Sequence, residues 1–269
     1  VEGAAFPALS TSSDTGNGFG YYGGGIYTFA QIYSGWRSAV RYDIAGNSWA
    51  NGNNIENGSC TACVLDDNGN LYGGWRGWDQ IEKVNPFPGL TEIWQFGLGG
   101  GANHAWAGTR SATRIYIMKG WGTLNNGRIY DMPADGTANG TFNLVTEAPW
   151  PIGMGCAMQY VPATHARYGR PELWVLRGQG AGASADGQGG TATPDLAIYD
   201  IDNDVWTRVT LDEAYEEGSG MAYANGWMFL MNGGNTVGNF AKTQTIPEPA
   251  FIGGLLAAWA LVGLLAWQP

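Results

Sequence analysis

The sequence predicts an all-β chain built from repeated sheet modules, and three observations predict it. Glycine supplies 44 of the 269 residues, well above its usual share of roughly 7%, as expected of a chain that turns often. Trp (13), Tyr (13) and Phe (9) are abundant while only 13% of residues are charged, so large rings are available to fill space between sheets. An apolar step beside glycine or turn residues recurs at Ile26, Leu71, Ile115, Leu173 and Trp227, at intervals of 44 to 58 residues. Such a period is the mark of a repeat architecture. The composition excludes a disordered chain, which lacks aromatics, and excludes coiled coil and collagen. The net charge of −10 leaves no basic stripe for a nucleic acid, and it suits an exported protein that must stay soluble.

The elements follow in order. Gly25-Ile26-Tyr27-Thr28-Phe29, Asn70-Leu71-Tyr72-Gly73-Gly74, Arg114-Ile115-Tyr116-Ile117-Met118, Glu172-Leu173-Trp174-Val175-Leu176 and Gly226-Trp227-Met228-Phe229-Leu230 each read as a strand, rich in β-branched and aromatic residues. A second signature trails them: Arg41-Tyr42-Asp43 with Asn47 and Trp49, Ile129-Tyr130-Asp131, and Ile198-Tyr199-Asp200 with Asn203 and Trp206. Lys83-Val84-Asn85 with Trp94 is a degenerate copy. Asp67-Asn68-Gly69-Asn70 and Asn225-Gly226 are hairpin turns that need positive φ. Five modules result, at 18–58, 59–103, 104–153, 154–217 and 218–245. The fifth lacks the trailing signature after Asn232-Gly233-Gly234-Asn235, and Ala5-Phe6-Pro7-Ala8-Leu9-Ser10 is the natural donor of its missing strand.

These pieces resemble kelch repeats, most specifically in YDIAGNSW and YDIDNDVW, over residues 18–235. The resemblance implies a β-propeller with four-stranded blades. The expected architecture is therefore one ring of about five blades over residues 1–245, closed by an N-terminal strand at 4–12. One sheet alone cannot bury two faces, and stacking the modules around an axis places Tyr and Trp between them.

The two ends carry their own signals. The chain begins Val1-Glu2-Gly3, which we read as an exported protein whose leader has been removed. From Ala250 to Trp267 it reads AFIGGLLAAWALVGLLAW, 18 residues without a charge. As a helix this run is about 27 Å long at 1.5 Å per residue, enough to cross a hydrocarbon core of about 30 Å. Its anchor residues are Phe251, Ile252, Leu255, Leu256, Trp259, Leu261, Val262, Leu264, Leu265 and Trp267. Upstream lies Pro247-Glu248-Pro249, and the pair of features resembles the PEP-CTERM sorting signal of exported bacterial surface proteins. That signal ends in a short Arg/Lys cluster, whereas Gln268-Pro269 follows the apolar run here. Residues 246–269 are thus expected to form a stalk and a single transmembrane helix.

Candidate chemistry is sparse. Cys60-Thr61-Ala62-Cys63 is followed by Val64, so it is not a haem-attachment motif, and one further cysteine, Cys156, does not complete a zinc set. Two readings remain: small buried hydrophobes in the inner strands, or a disulfide, Cys60–Cys63 or Cys60–Cys156, in an oxidising compartment. His104 and His165 are the two histidines, and no HExxH or GxSxG accompanies them. No catalytic residue, metal site or cofactor is expected. Asp200, Asp202 and Asp204 alternate like a calcium loop but lack its glycine and distal Glu, and they suit a hairpin turn. The fourth module is enlarged by two insertions, and insertions in repeat proteins often sit on the binding face. They nominate His165, Arg167, Arg170, Arg177 and Asp186 as candidate binding-loop residues. The expected function is non-catalytic: a membrane-anchored, extracytoplasmic binding or scaffold protein, an accessory subunit among membrane or surface partners. The alternative is a propeller enzyme acting on glycans, or as an oxidase, at the central channel.

Overall fold

The computed structural model describes residues 20–33, 36–55, 64–74, 80–85, 87–89, 92–97, 105–120, 127–136, 141–153, 156–178, 193–216, 219–233 and 240–245. They form five antiparallel sheets in which strands consecutive in sequence are neighbours. The first blade holds β1 (Gly20–Tyr22), β2 (Gly25–Tyr33), β3 (Trp36–Asp43) and β4 (Ser48–Ile55). The second holds β5 (Val64–Leu65), β6 (Leu71–Gly74), β7 (Gln80–Val84) and β8 (Glu92–Gly97). The third holds β9 (Ala105–Arg110), β10 (Arg114–Gly120), β11 (Arg128–Pro133) and β12 (Asn143–Glu147). The fourth holds β13 (Ala157–Val161), β14 (Glu172–Leu176), β15 (Thr193–Asp200) and β16 (Val205–Tyr215). The fifth holds β17 (Gly220–Ala224), β18 (Trp227–Met231) and β19 (Phe240–Gln244). The chain is a five-bladed β-propeller. The first strands of successive blades, β1, β5, β9, β13 and β17, touch in that order and line the axis.

Each recurrent apolar step is the second strand of its blade, and its unbroken hydrophobicity has a structural cause. Both faces of a blade are covered, so alternate residues go to opposite neighbours, as in any sheet buried on two sides. Leu71 packs with Tyr27 and Ala39 of the first blade, and its neighbour Tyr72 packs with Trp106, Ile115 and Ile117 of the third. Tyr116 and Met118 turn the other way, onto Leu173, Val175 and Tyr199 of the fourth blade. Trp174 and Leu176 then meet Met228 and Leu230 of the fifth. Glycine at the end of β6 is explained by the same packing: a Cβ on Gly74 would overlap the buried indole of Trp106.

The trailing signature is a self-contained hairpin between the third and fourth strands. Tyr42 pairs across the ladder with Trp49, with ring centroids 5.1 Å apart, and its hydroxyl donates to Oδ1 of Asn47 at 2.5 Å. Tyr199 repeats this with Trp206 at 5.0 Å and with Asp204 Oδ1 at 3.0 Å. Asn47 and Asp204 have φ of 46° and 55°, a conformation Asn and Asp tolerate better than most residues. The predicted Asn225-Gly226 turn has φ of 49° and 82°, and Gly69 of the earlier turn has φ of 79°.

The fifth sheet has three strands among the described residues, ending at β19. The proposed donor strand at 4–12, the Pro247-Glu248-Pro249 step and the apolar run to Trp267 lie outside the described residues. Among the described residues no helix is long and apolar enough to cross a membrane.

Candidate functional site

Blades four and five flank a half-open cavity of about 300 Å³. Trp174 of β14, Leu196 and Ile198 of β15, and Val209 and Leu211 of β16 form its apolar wall. Thr243 and Gln244 of β19, with Thr245, form the polar wall opposite, and Arg167 also lines it. Period-2 alternation puts Leu196 and Ile198 on one face, paired across the ladder with Val209 and Thr207. The indole of Trp174 is fixed by its own strand, Nε1 donating to Glu172 Oε2 at 2.7 Å.

Arg167 comes from the insertion between β13 and β14. Its loop begins as a 3-10 turn, Ala163–His165, and is clasped to the fifth blade. His165 Nδ1 shares a short hydrogen bond with the Tyr223 hydroxyl, which also accepts the N–H of Gly226 at 3.2 Å. The Thr245 hydroxyl lies 2.6 Å from the His165 carbonyl, and the Thr245 N–H donates to Gly226 O at 2.9 Å. Ala166 is buried in the inter-blade core, so the chain is held immediately before Arg167. The exposed guanidinium therefore stands beside the cavity on an anchored loop.

The sequence-nominated cations separate into different tasks. Arg170 donates to Asp200 Oδ2 from Nε at 2.8 Å. Burial pushes the Asp200 carboxyl up, but hydrogen bonds from Asn203 and Arg170 and the guanidinium charge outweigh it and hold the group below its ordinary value. Arg177 is buried against Asp195 at 2.6 Å and also donates to Pro151 O at 3.1 Å, tying the third blade to the fourth. Burial lowers its pKa despite the Asp195 charge, and Arg208, on the same carboxylate, lowers it further. Arg41, Arg110, Arg114 and Arg128 are likewise paired with acids. Among the arginines whose side chains are described, Arg167 is the one left without a hydrogen bond or an ion pair.

Asp186, Cys60, Cys63 and His104 lie outside the described residues. Cys156 is a free thiol directly before β13. Burial pushes its pKa up to about 12, which makes it a packed hydrophobe and a poor nucleophile. The three aspartates at 200, 202 and 204 build a turn: Asp200 Oδ1 accepts the N–H groups of Asp202 and Asn203 at 3.2 Å each. No group of three metal-ligating side chains occurs among the described residues.

Sequence reasoning found Arg167 through its insertion and missed the rest of the lining. Trp174, Val209, Leu211 and Gln244 look like ordinary strand residues, and they meet only because two blades pack face to face.

No protein-family model matches the chain, and no curated protein matches it. Among solved structures it is similar to TolB from Acinetobacter baumannii, with a TM-score of 0.55 at 9% identity over 86% of this chain. The chain spans about half of that structure, 51%. It is also similar to a streptogramin B lyase, with a TM-score of 0.53 at 14% identity, over 90% of this chain and 72% of that one. At these identities the likeness is one of fold, and both support the propeller.

Proposed function

We propose that this chain is a non-catalytic binding propeller of kelch type, held on the extracytoplasmic side of a membrane by residues 246–269 and acting as an accessory subunit beside other membrane or surface proteins. The observation that carries the binding reading is Arg167, an uncommitted cation on an anchored loop beside an inter-blade cavity, while Arg41, Arg110, Arg114, Arg128, Arg170, Arg177 and Arg208 are all paired with acids. The anchor rests on the uncharged Ala250–Trp267 run and the PEP-CTERM-like step before it. Burying each Leu, Ile, Val, Phe or Trp of that run contributes roughly 1.5–3 kcal/mol, and its glycines and alanines suit packing against another membrane helix. The last described residue, Thr245, is buried, its hydroxyl between the carbonyls of His165 and Gly226.

A chain ending at Thr245 is expected to be folded, soluble and released from membranes, while the full chain sediments with them. Fractionation with circular dichroism checks this, and a truncated chain that stays in the membrane pellet refutes the anchor.

The ring is closed, in this reading, by residues 4–12 pairing with the outer edge of β19. Pro7 is compatible because an edge strand tolerates a residue without an N–H. Removing Val1–Ser10 is expected to lower the melting temperature of the whole ring, since it leaves an open edge. An unchanged melting temperature counts against the closure.

A further inference from the structure

We infer that the cavity between blades four and five is a binding site for a small amphipathic carboxylate, with Arg167 taking the acid and the blade-four wall taking the apolar chain. The inference rests on the binding reading above and supplies its ligand class.

Size comes first. A cavity of about 300 Å³ is at the lower end of ligand sites. At about 30 Å³ per water-sized unit it holds on the order of ten non-hydrogen atoms. That admits a medium-chain or aryl acid. Polarity comes second. Among the described lining residues, the side chains of the apolar wall, Trp174, Leu196, Ile198, Val209 and Leu211, offer no free hydrogen-bonding group, because the indole N–H is already given to Glu172. Thr243 and Gln244 face that wall and supply a hydroxyl and an amide. The arrangement separates an apolar body from a polar head.

Charge comes third. The head must be anionic, because Arg167 carries a planar fork of donors with nothing paired to it. A guanidinium matches a carboxylate in two parallel hydrogen bonds. A single negative charge suits it better than a phosphate dianion, since the chain as a whole carries −10 and repels a second charge. The fork is also held in place before any ligand arrives. The Tyr223–His165 bond and the Thr245 hydroxyl fasten its loop to the opposite blade, so little order has to be created on binding.

The test uses the full chain in detergent and the isosteric pair hexanoate and hexanamide, followed by calorimetry and ligand-observed NMR. Hexanoate is expected to bind saturably and about tenfold or more tighter than hexanamide, the size of a charge-assisted pair. Arg167→Gln should bring hexanoate down to the amide's level without changing the melting temperature. Leu211→Trp, which fills the apolar wall, should abolish binding of both. Equal affinities for acid and amide, an unaffected Arg167→Gln variant, or no saturable binding by the full chain would each overturn the proposal. Binding only by a chain lacking Val1–Ser10 would overturn it too, since the cavity would then belong to the protein's own N-terminal segment. Membrane fractionation of the full chain is independent of hexanoate, so failure here and failure of the anchored-protein reading are told apart.

Discussion

Asp66→Ala is expected to destabilise the whole ring by about 3–5 kcal/mol, the range for leaving the partners of a buried charge without it. Asp66 is fully buried at the end of the second blade's first strand. Its Oδ1 accepts the N–H of Asn68 at 2.9 Å and of Asn70 at 2.8 Å. Its Oδ2 accepts Asn70 Nδ2 at 2.6 Å and the Tyr72 hydroxyl at 3.0 Å, with Lys83 Nζ 3.9 Å away. Alanine would strand the buried donors of Asn70 and Tyr72 in a dry site. The cost spreads beyond one turn because that turn staples two blades. The Asp67 N–H donates to Ala134 O at 2.7 Å, and Asn68 Nδ2 donates to Asp135 O at 2.6 Å, both across to the third blade. Asp66→Asn keeps the shape and loses the charge, so it should fall between wild type and alanine. Urea denaturation of the three proteins measures this, and an alanine variant within 1 kcal/mol of wild type would refute the staple.

Alkaline unfolding between about pH 9 and 12 is the second large effect expected. Burial pushes the Cys156 thiol up to about 12 from 9.0. Burial, then the Asp131 charge, pushes Tyr116 up to about 12 from 10.0. Tyr72 is raised by burial and then by the Asp66 charge and hydrogen bond, and Tyr199 by burial and then by its Asp204 hydrogen bond. Each group is neutral in the fold and ionises more readily once unfolded. Their stabilisation is therefore fully present below pH 9, and it is lost as pH rises through the unfolded values toward the folded ones. The loss per group approaches about 1.4 kcal/mol per pH unit in that window. The part of the tyrosinate absorbance due to the buried rings should appear together with the loss of the far-ultraviolet circular dichroism, in one cooperative step above pH 10, separate from the contribution of exposed rings such as Tyr21 and Tyr168. Complete tyrosinate absorbance reached with the strand signal intact would show that the rings of Tyr72, Tyr116 and Tyr199 are not buried as described.

YDIAGNSW and YDIDNDVW were legible because everything that makes them hairpins is local. The ring pair, the positive-φ residue and the Tyr hydroxyl's acceptor all lie within eight residues of one another. The continuous apolar run at 172–176 was legible as a strand, but its division between two neighbours was not. Val175 goes to one core and Trp174 to another only because a blade stands on each side.

The sequence by itself determined the repeat: five modules, their second strands, their turns and a fifth module without the trailing signature. Short-range periodicity and turn chemistry act over a few residues and need no partner. It also determined that the enlarged fourth module carries a cluster of cations. Only the tertiary structure decided what those cations do. Arg167 and Arg170 stand three residues apart on one loop, yet Asp200, 30 positions further along, captures Arg170 and leaves Arg167 uncommitted beside the cavity. The cavity itself joins β14, β15 and β16 to β19, strands of separate sheets. Contacts of that range follow from how the blades pack, and no local pattern records them.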